Sequence, residues 1–309
     1  MRPIARFAWG LLAYDVAVVA WGAYVRATGA GAGCGRHWPT CNGDVIPRAP
    51  RLETLVELSH RVSSALAFVL TLVLLAWAMH DYPRGHRVRR GAALSAGLMV
   101  AEGLIGAGLV LFALVAHDAS LKRALSISVH LVNTFFLLAA TSLTAFWASG
   151  APASTLRGQR GVVVVLALPL VAMLVVGASG AVTALGDTLF PSATLSAGIA
   201  ADFARGAPAF VRLRAIHPLL AAATAATVLL ATGVVRNLRP ARPVENLARI
   251  TGILALLQLG AGLANMAMRA PVAMQLVHVA LADALWIALV LTTAAALSKA
   301  PWPPASSVA

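Results

Sequence analysis

Glu57-Leu58-Ser59-His60-Arg61 places a carboxylate, an imidazole and a guanidinium at the start of a long apolar run. Helical positions three and four apart are neighbours, so Glu57 faces both His60 and Arg61. Ionisable groups are costly at membrane depth and mark either a functional site or a paired structural one. Three further histidines, His130, His217 and His278, occupy comparable places in later apolar runs. Paired imidazoles on facing helices suit the axial positions of a heme iron. The competing reading gives each ring an interhelical hydrogen bond. A zinc site would want three or four close ligands and is not indicated. His37, His80, His86 and His117 fall in connections or at the ends of runs and read as solvated surface.

The two halves of the chain differ where chemistry would show. Three residues before the histidine, the first half has Glu57 and the second has Arg214; one residue after it, they have Arg61 and Pro218. Glu57 could accept a proton, trap a cationic intermediate, or simply pair with Arg61. The asymmetry implies one reacting site and one ligand-holding site. Arg61, Lys122, Arg123, Arg212, Arg214 and Arg269 lie near one end of the runs. There they could bind propionates through charge-assisted hydrogen bonds or act as interfacial anchors.

The elements that position these residues are membrane helices. Of 309 residues, 60% are apolar and 11% charged, far from the composition of a soluble domain. Alternating strand patterns are absent and the apolar runs are long, so helices rather than a barrel are indicated. The net charge of +13 sits in short connections between apolar runs, so it reads as membrane-flanking anchors rather than a nucleic-acid surface. Eight runs are long enough to span a bilayer, near 7–27, 55–79, 91–114, 122–147, 161–185, 212–235, 247–267 and 272–297. The first shows no small-residue cleavage site and reads as a retained span.

Thirteen of the 24 Lys and Arg residues, from Arg2 to Lys299, fall on one side of this topology. The split is shallow. The two densest clusters, Arg84 to Arg90 and Arg236 to Arg249, nevertheless share that side, which places both termini in the cytoplasm. The loop with Cys34 and Cys41 is then outside, where a disulfide can persist. The four histidines lie six to nine residues inside their helices, roughly 10 Å deep from the same side.

The chain also repeats. Gly22-Ala23-Tyr24-Val25-Arg26-Ala27-Thr28 resembles Gly177-Ala178-Ser179-Gly180-Ala181-Val182-Thr183, and Ile105-Gly106-Ala107-Gly108-Leu109 resembles Leu259-Gly260-Ala261-Gly262-Leu263. His60 to His217 is 157 residues and His130 to His278 is 148. The expected fold is all-α: eight transmembrane helices as two tandem four-helix bundles, residues 1–150 and 151–309, related by a pseudo-two-fold axis along the membrane normal.

At these residues the sequence resembles the heme A synthase family, in the bacterial form with a cysteine pair in the first outer loop. The matching stretches are Thr28-Gly29-Ala30-Gly31-Ala32-Gly33-Cys34, Trp38-Pro39-Thr40-Cys41-Asn42-Gly43, Glu57-x-x-His60-Arg61, and one histidine on each of spans 4, 6 and 8. The likeness implies oxidation of the C8 methyl of heme O to a formyl, giving heme A for terminal oxidase assembly in a prokaryotic cell membrane. His60 and His130 would flank the substrate heme, with Glu57 taking part in the reaction. His217 and His278 would ligate a heme b that carries electrons to an acceptor. Cys34 and Cys41 would form a disulfide or redox couple. Heme O synthase and the oxidase assembly line are the implied partners, and a homo-oligomer is compatible. Two positions depart from the family pattern: His37 stands where an acidic residue often precedes Trp-Pro, and Glu102 where Gln is frequent. Glu102 could be a proton relay or stay protonated.

Two readings from other classes compete. A diheme b-type electron-transfer subunit would also use paired histidines, and a heme transporter would also show a repeat. Glu57 in one half only favours the enzyme. Farnesyl transfer would call for clustered aspartates to hold magnesium and diphosphate, and the sequence has no such cluster.

Overall fold

All eight apolar runs fold as long helices in the computed structural model, which describes residues 2–207 and 209–298. These are α1 (Pro3–Ala27), α2 (Leu52–Asp81), α3 (Arg87–Leu111), α4 (Leu121–Ala148), α5 (Arg160–Leu189), α7 (Ala209–Leu238), α8 (Arg242–Ala267) and α9 (Val272–Ala296). A short helix absent from the expected spans, α6 (Leu195–Asp202), lies between α5 and α7. Most long helices run a few residues past the apolar stretch, because backbone hydrogen bonding continues into the polar flank. Side-chain caps fix three starts: His86 Nδ1 accepts from Val88 N–H, Ser120 Oγ from Arg123 N–H, and Thr194 Oγ1 from Ala197 N–H. The described residues contain only isolated β-bridges and no strand. Lys299, counted among the cytoplasmic cations, lies outside the described residues.

Helices α1 to α4 pack in a ring, α1 on α2, α2 on α3, α3 on α4 and α4 on α1. Helices α5, α7, α8 and α9 pack in the same cyclic order. The connections after α3 and α8 match to the residue. Ala113 and Arg269 are left-handed at φ 56° and 62°. Leu114 N–H donates to Leu109 O at 2.8 Å, and Ala270 N–H to Asn265 O at 2.7 Å. Each of these pairs is 156 residues apart in the chain.

The rings are not independent. Helices α1 and α4 also pack on α9 and α5. One apolar core draws Leu12, Phe135 and Leu138 from the first ring, and Met173, Val228, Leu285 and Leu289 from the second. Within it Phe135 stacks on Trp286, centroids 5.1 Å apart, and Trp286 Nε1–H donates to the Phe135 carbonyl at 2.5 Å. Arg26 adds a polar tie, donating from α1 to Ala184 O (2.8 Å) and Thr188 Oγ1 (3.1 Å) on α5 and to Gln275 Oε1 (2.7 Å) on α9.

Candidate functional site

The four histidines begin six to nine residues into α2, α4, α7 and α9, as their spacing predicts, and all four line one cavity of about 1290 Å³. A single small-molecule pocket spans about 300–1,000 Å³, so this space exceeds one ordinary ligand. Each ring lies over a glycine on a neighbouring helix. A Cβ on Gly22 (α1) would sit 3.0 Å from His60 Cε1, one on Gly180 (α5) 3.0 Å from His217 Cε1, and one on Gly262 (α8) 3.1 Å from His278 Cε1. For Gly106 (α3) and His130 the value is 4.0 Å. Four helices therefore supply imidazoles and the other four supply bare backbone for the rings to rest on. This corrects the repeat register: Gly22 pairs with Gly180 rather than Gly177, and Gly106 with Gly262 rather than Gly260. Glycine-rich strings match equally well in adjacent registers, and only the ring contacts choose between them.

The cradle gives a direct test on one helix. Gly262→Val must push the His278 ring aside and is expected to cost about 1–3 kcal/mol. Gly260→Val, where a Cβ meets nothing within 4 Å, is expected to be near neutral. Equal thermal melting of the two variants would remove the cradle argument.

The two sites then diverge. His130 Nδ1 lies 3.3 Å from Glu102 Oε1 but without hydrogen-bond geometry. That carboxylate accepts from Asn133 Nδ2 and Thr134 Oγ1, each at 2.5 Å. In the second half His278 Nε2 meets the Gln258 side-chain amide at 3.2 Å, and Gln258 stands 156 residues after Glu102. The same position thus carries an acid in one half and an amide in the other. His217 Nδ1 is hydrogen-bonded to Ser179 Oγ at 2.9 Å.

Glu57 is buried and fully engaged. Its Oε2 accepts from Cys34 N–H at 2.8 Å; its Oε1 accepts from Arg61 Nε at 3.1 Å and Nη2 at 2.5 Å. Arg61 Nη1 donates to His37 O and Thr40 O, both at 2.7 Å. Cys34 and Cys41 form a disulfide, so the Glu57–Arg61 pair clamps the disulfide loop onto α2. The glycines of the loop motif have local reasons. Gly29 is left-handed at φ 73°, and Gly33 lies so close to the Glu53 carbonyl that a Cβ would collide with it. Thr54 Oγ1 and Asn42 Nδ2 donate to the Gly33 carbonyl at 2.8 and 3.1 Å.

Arg214, expected as a propionate partner, is likewise paired: Nη2 lies 2.6 Å from Asp202 on α6 and Nη1 3.2 Å from Asp187 on α5. Arg123 donates to the Ala116 and Asp118 carbonyls, and Arg269 to the Ala193 carbonyl. The cations at this end mainly hold loops and helix ends. Two cavity residues escaped the sequence reading. Asp15 (α1) is 3% exposed with both carboxylate oxygens unpartnered, and Asp283 (α9) is 2% exposed with Oδ2 unpartnered. The available signal was a lone carboxylate within an apolar run.

A family model described as cytochrome oxidase assembly protein (COX15-CtaA) matches residues 5–290. The chain belongs to this family. Two Thermus thermophilus proteins, one from each of two strains and both named protoheme IX farnesyltransferase, are 49% identical over 296 residues. These matches cover 96% of this chain and 49% of each relative, so the chain spans about half the length of those proteins. The heme A synthase of Alkalihalophilus pseudofirmus is 40% identical over 91 residues, covering 29% of this chain and 31% of that protein. That of Geobacillus kaustophilus is 42% identical over 91 residues, 29% of each. Family membership and eight membrane-capable helices together make the chain a multi-pass membrane protein.

Proposed function

We propose that this chain is a heme A synthase, an oxidoreductase that converts the C8 methyl of heme O to a formyl. The observation that carries the reading is the unequal pair of histidine sites. The first combines His60 and His130 with two carboxylates, Glu57 and Glu102; the second combines His217 and His278 with Ser179 and Gln258. Taking a methyl to a formyl with oxygen from water gives up electrons, which an external acceptor must take, and protons, which carboxylates beside the first pair can receive. The first half, residues 1–150, is the substrate site and the second, 151–309, the heme b site. The matching turns and glycine cradles support two tandem copies related by a pseudo-two-fold axis.

His217 would suit a heme iron, because Ser179 holds Nδ1 and leaves Nε2 free to bind it. His278 has an orphaned, buried Nδ1, and iron at its Nε2 would replace the Gln258 contact. Bound heme b would supply a one-electron iron couple at that site. Glu57 and Arg61 hold the disulfide loop over the cavity mouth, and the glycine cradles fix the ring planes. The disulfide supports an oxidising, outer location for this end and cytoplasmic termini in a prokaryotic cell membrane. Heme O synthase and the terminal oxidase assembly line are the proposed partners.

The name carried by the Thermus relatives raises farnesyl transfer as a second reading. Against it, the eleven acidic residues of this chain are dispersed from Asp15 to Asp283 with no aspartate cluster for a magnesium diphosphate. Expression with and without a heme O-forming enzyme, followed by chromatography of extracted pigments, separates the readings. Heme A is expected only when both are present. Heme O arising from this chain alone would establish farnesyl transfer, and bound heme without either product would leave an electron-transfer cytochrome.

A further inference from the structure

Among the described residues six carboxylates line the cavity, and four of them are satisfied. Glu57, Asp187 and Asp202 pair with arginines, and Glu102 accepts from Asn133 and Thr134. Asp283 has one buried oxygen without a donor, and Asp15 has both. Asp15 is also the thirteenth of the 25 residues of α1, so it stands at the middle of the span. A lone charge is most costly at that depth.

Asp15 belongs to the first site. It shares one face of α1 with Val19, Gly22 and Arg26, cavity residues at spacings of four, seven and eleven. Gly22 carries the His60 ring, and Asp15 lies seven residues, about 10 Å, below it. His60, His130 and Asp283, on helices packed against α1, line the same cavity, and Glu102 on α3 is the group whose charge bears on Asp15. A buried carboxylate with no donor and no counter-charge is held neutral by a proton until positive charge arrives beside it. Packing does not require the acid. Its counterpart, at the 158-residue spacing of Gly22 and Gly180, is Met173, equally buried and lining the cavity. The lone acid of the second half, Asp283, stands instead where the first half has Phe135, at the 148-residue spacing of His130 and His278.

We propose that Asp15 is the proton-exchanging group of the first cavity: neutral in the empty chain, it yields its proton to cavity water when a ferric porphyrin is held at His60 and His130, and it recovers one when that iron is reduced. The inference rests on the reading of His60 and His130 as a heme site. The balance is one electron onto iron and one proton from water onto a carboxylate oxygen of Asp15. In turnover the electron comes from the porphyrin methyl under oxidation and leaves to the external acceptor; in the test it comes from a one-electron chemical reductant. Glu57 and Glu102 are poorer stations for this proton, because hydrogen-bond donors already occupy their oxygens.

The test uses the full chain with Asp15→Asn, which keeps the shape, and Asp15→Met, which reproduces the second half and covers any failure of the buried amide to fold. In the heme-free chain, infrared spectra in light and heavy water are expected to show a protonated carboxyl band that both variants lack. In the loaded chain, the midpoint potential of the first-site heme is expected to fall as pH rises, because reduction takes up a proton. His60→Ala, which empties that site, identifies which heme reports. At full coupling the wild-type reduction constant changes tenfold per pH unit more than that of the variants, about 59 mV for one electron. Glu102 is present in all three chains, so the difference in slope belongs to Asp15. A carboxyl band unchanged in both variants would mean that Asp15 is ionised at rest and would overturn the proposal. Loss of the band with equal slopes would make Asp15 a neutral filler and overturn the exchange. Wild type that keeps the band but holds no heme at His60 and His130 would overturn the heme reading and the exchange role together.

Discussion

Glu57→Ala is expected to lower heme A formation by about 100-fold or more while heme remains bound to the chain. Alanine removes a buried carboxylate that lines the same cavity as His60 and that accepts from Cys34 N–H and Arg61. It also leaves the Arg61 guanidinium without its counter-charge, a loss of about 3–5 kcal/mol for a buried pair. A fall in activity could therefore come from lost chemistry or from a loosened disulfide loop. Glu57→Gln separates the two. The amide keeps an oxygen for Cys34 N–H and nearly the same shape, but it cannot take a proton as a carboxylate does. A catalytic Glu57 predicts that Glu57→Gln keeps the loop protected from proteolysis yet stays about 100-fold slow. Wild-type conversion by Glu57→Gln would reduce the residue to a clamp, and wild-type conversion by Glu57→Ala would sink both roles.

His217→Ala and His278→Ala are each expected to abolish the low-spin heme signal of the second site and to remove one of two hemes from the purified chain. On the proposed ligation each ring comes from its own helix, α7 or α9, so loss of either would leave a bound iron with a single protein ligand. The first site is expected to keep heme O in both variants, because His60 and His130 belong to other helices with their own glycine supports. His60→Ala should reverse the pattern, sparing the low-spin signal and releasing substrate. An unchanged optical and electron paramagnetic resonance spectrum in His217→Ala would remove the second-half assignment. Loss of both hemes in every variant would mean that the shared core couples the two sites. That core runs through Phe135 and Trp286, so such coupling has a physical route.

The polar clamp sharpens the meaning of the leading motif. In sequence, Glu57-x-x-His60-Arg61 invited a choice between chemistry and an ion pair. The ion pair exists, and it is joined to the disulfide loop by three backbone groups, Cys34 N–H and the carbonyls of His37 and Thr40. Arg214 in the second half makes a comparable pair with Asp187 and Asp202, although its acids come from α5 and α6 rather than from its own helix. Both halves thus brace the cavity mouth with an arginine, and the difference between them moves deeper, to Glu102 against Gln258.

Sequence alone determined the eight spans, how far into their helices the four histidines stand, and that the two cysteines share one loop. These are local properties: apolar length sets a span, and a fixed rise of about 1.5 Å per residue sets depth. Apolar run length could not reveal α6, since eight residues at the membrane edge carry no span signal. Tertiary structure decided the rest. Which glycine meets which imidazole depends on helix rotation, and a one-residue change of register turns a helix by about 100°. The burial of Asp15 and Asp283 and the equivalence of Glu102 with Gln258 both depend on which faces meet. Composition fixes how much apolar surface each helix carries, but only packing against particular neighbours settles where a missing side chain becomes a cradle for a ring.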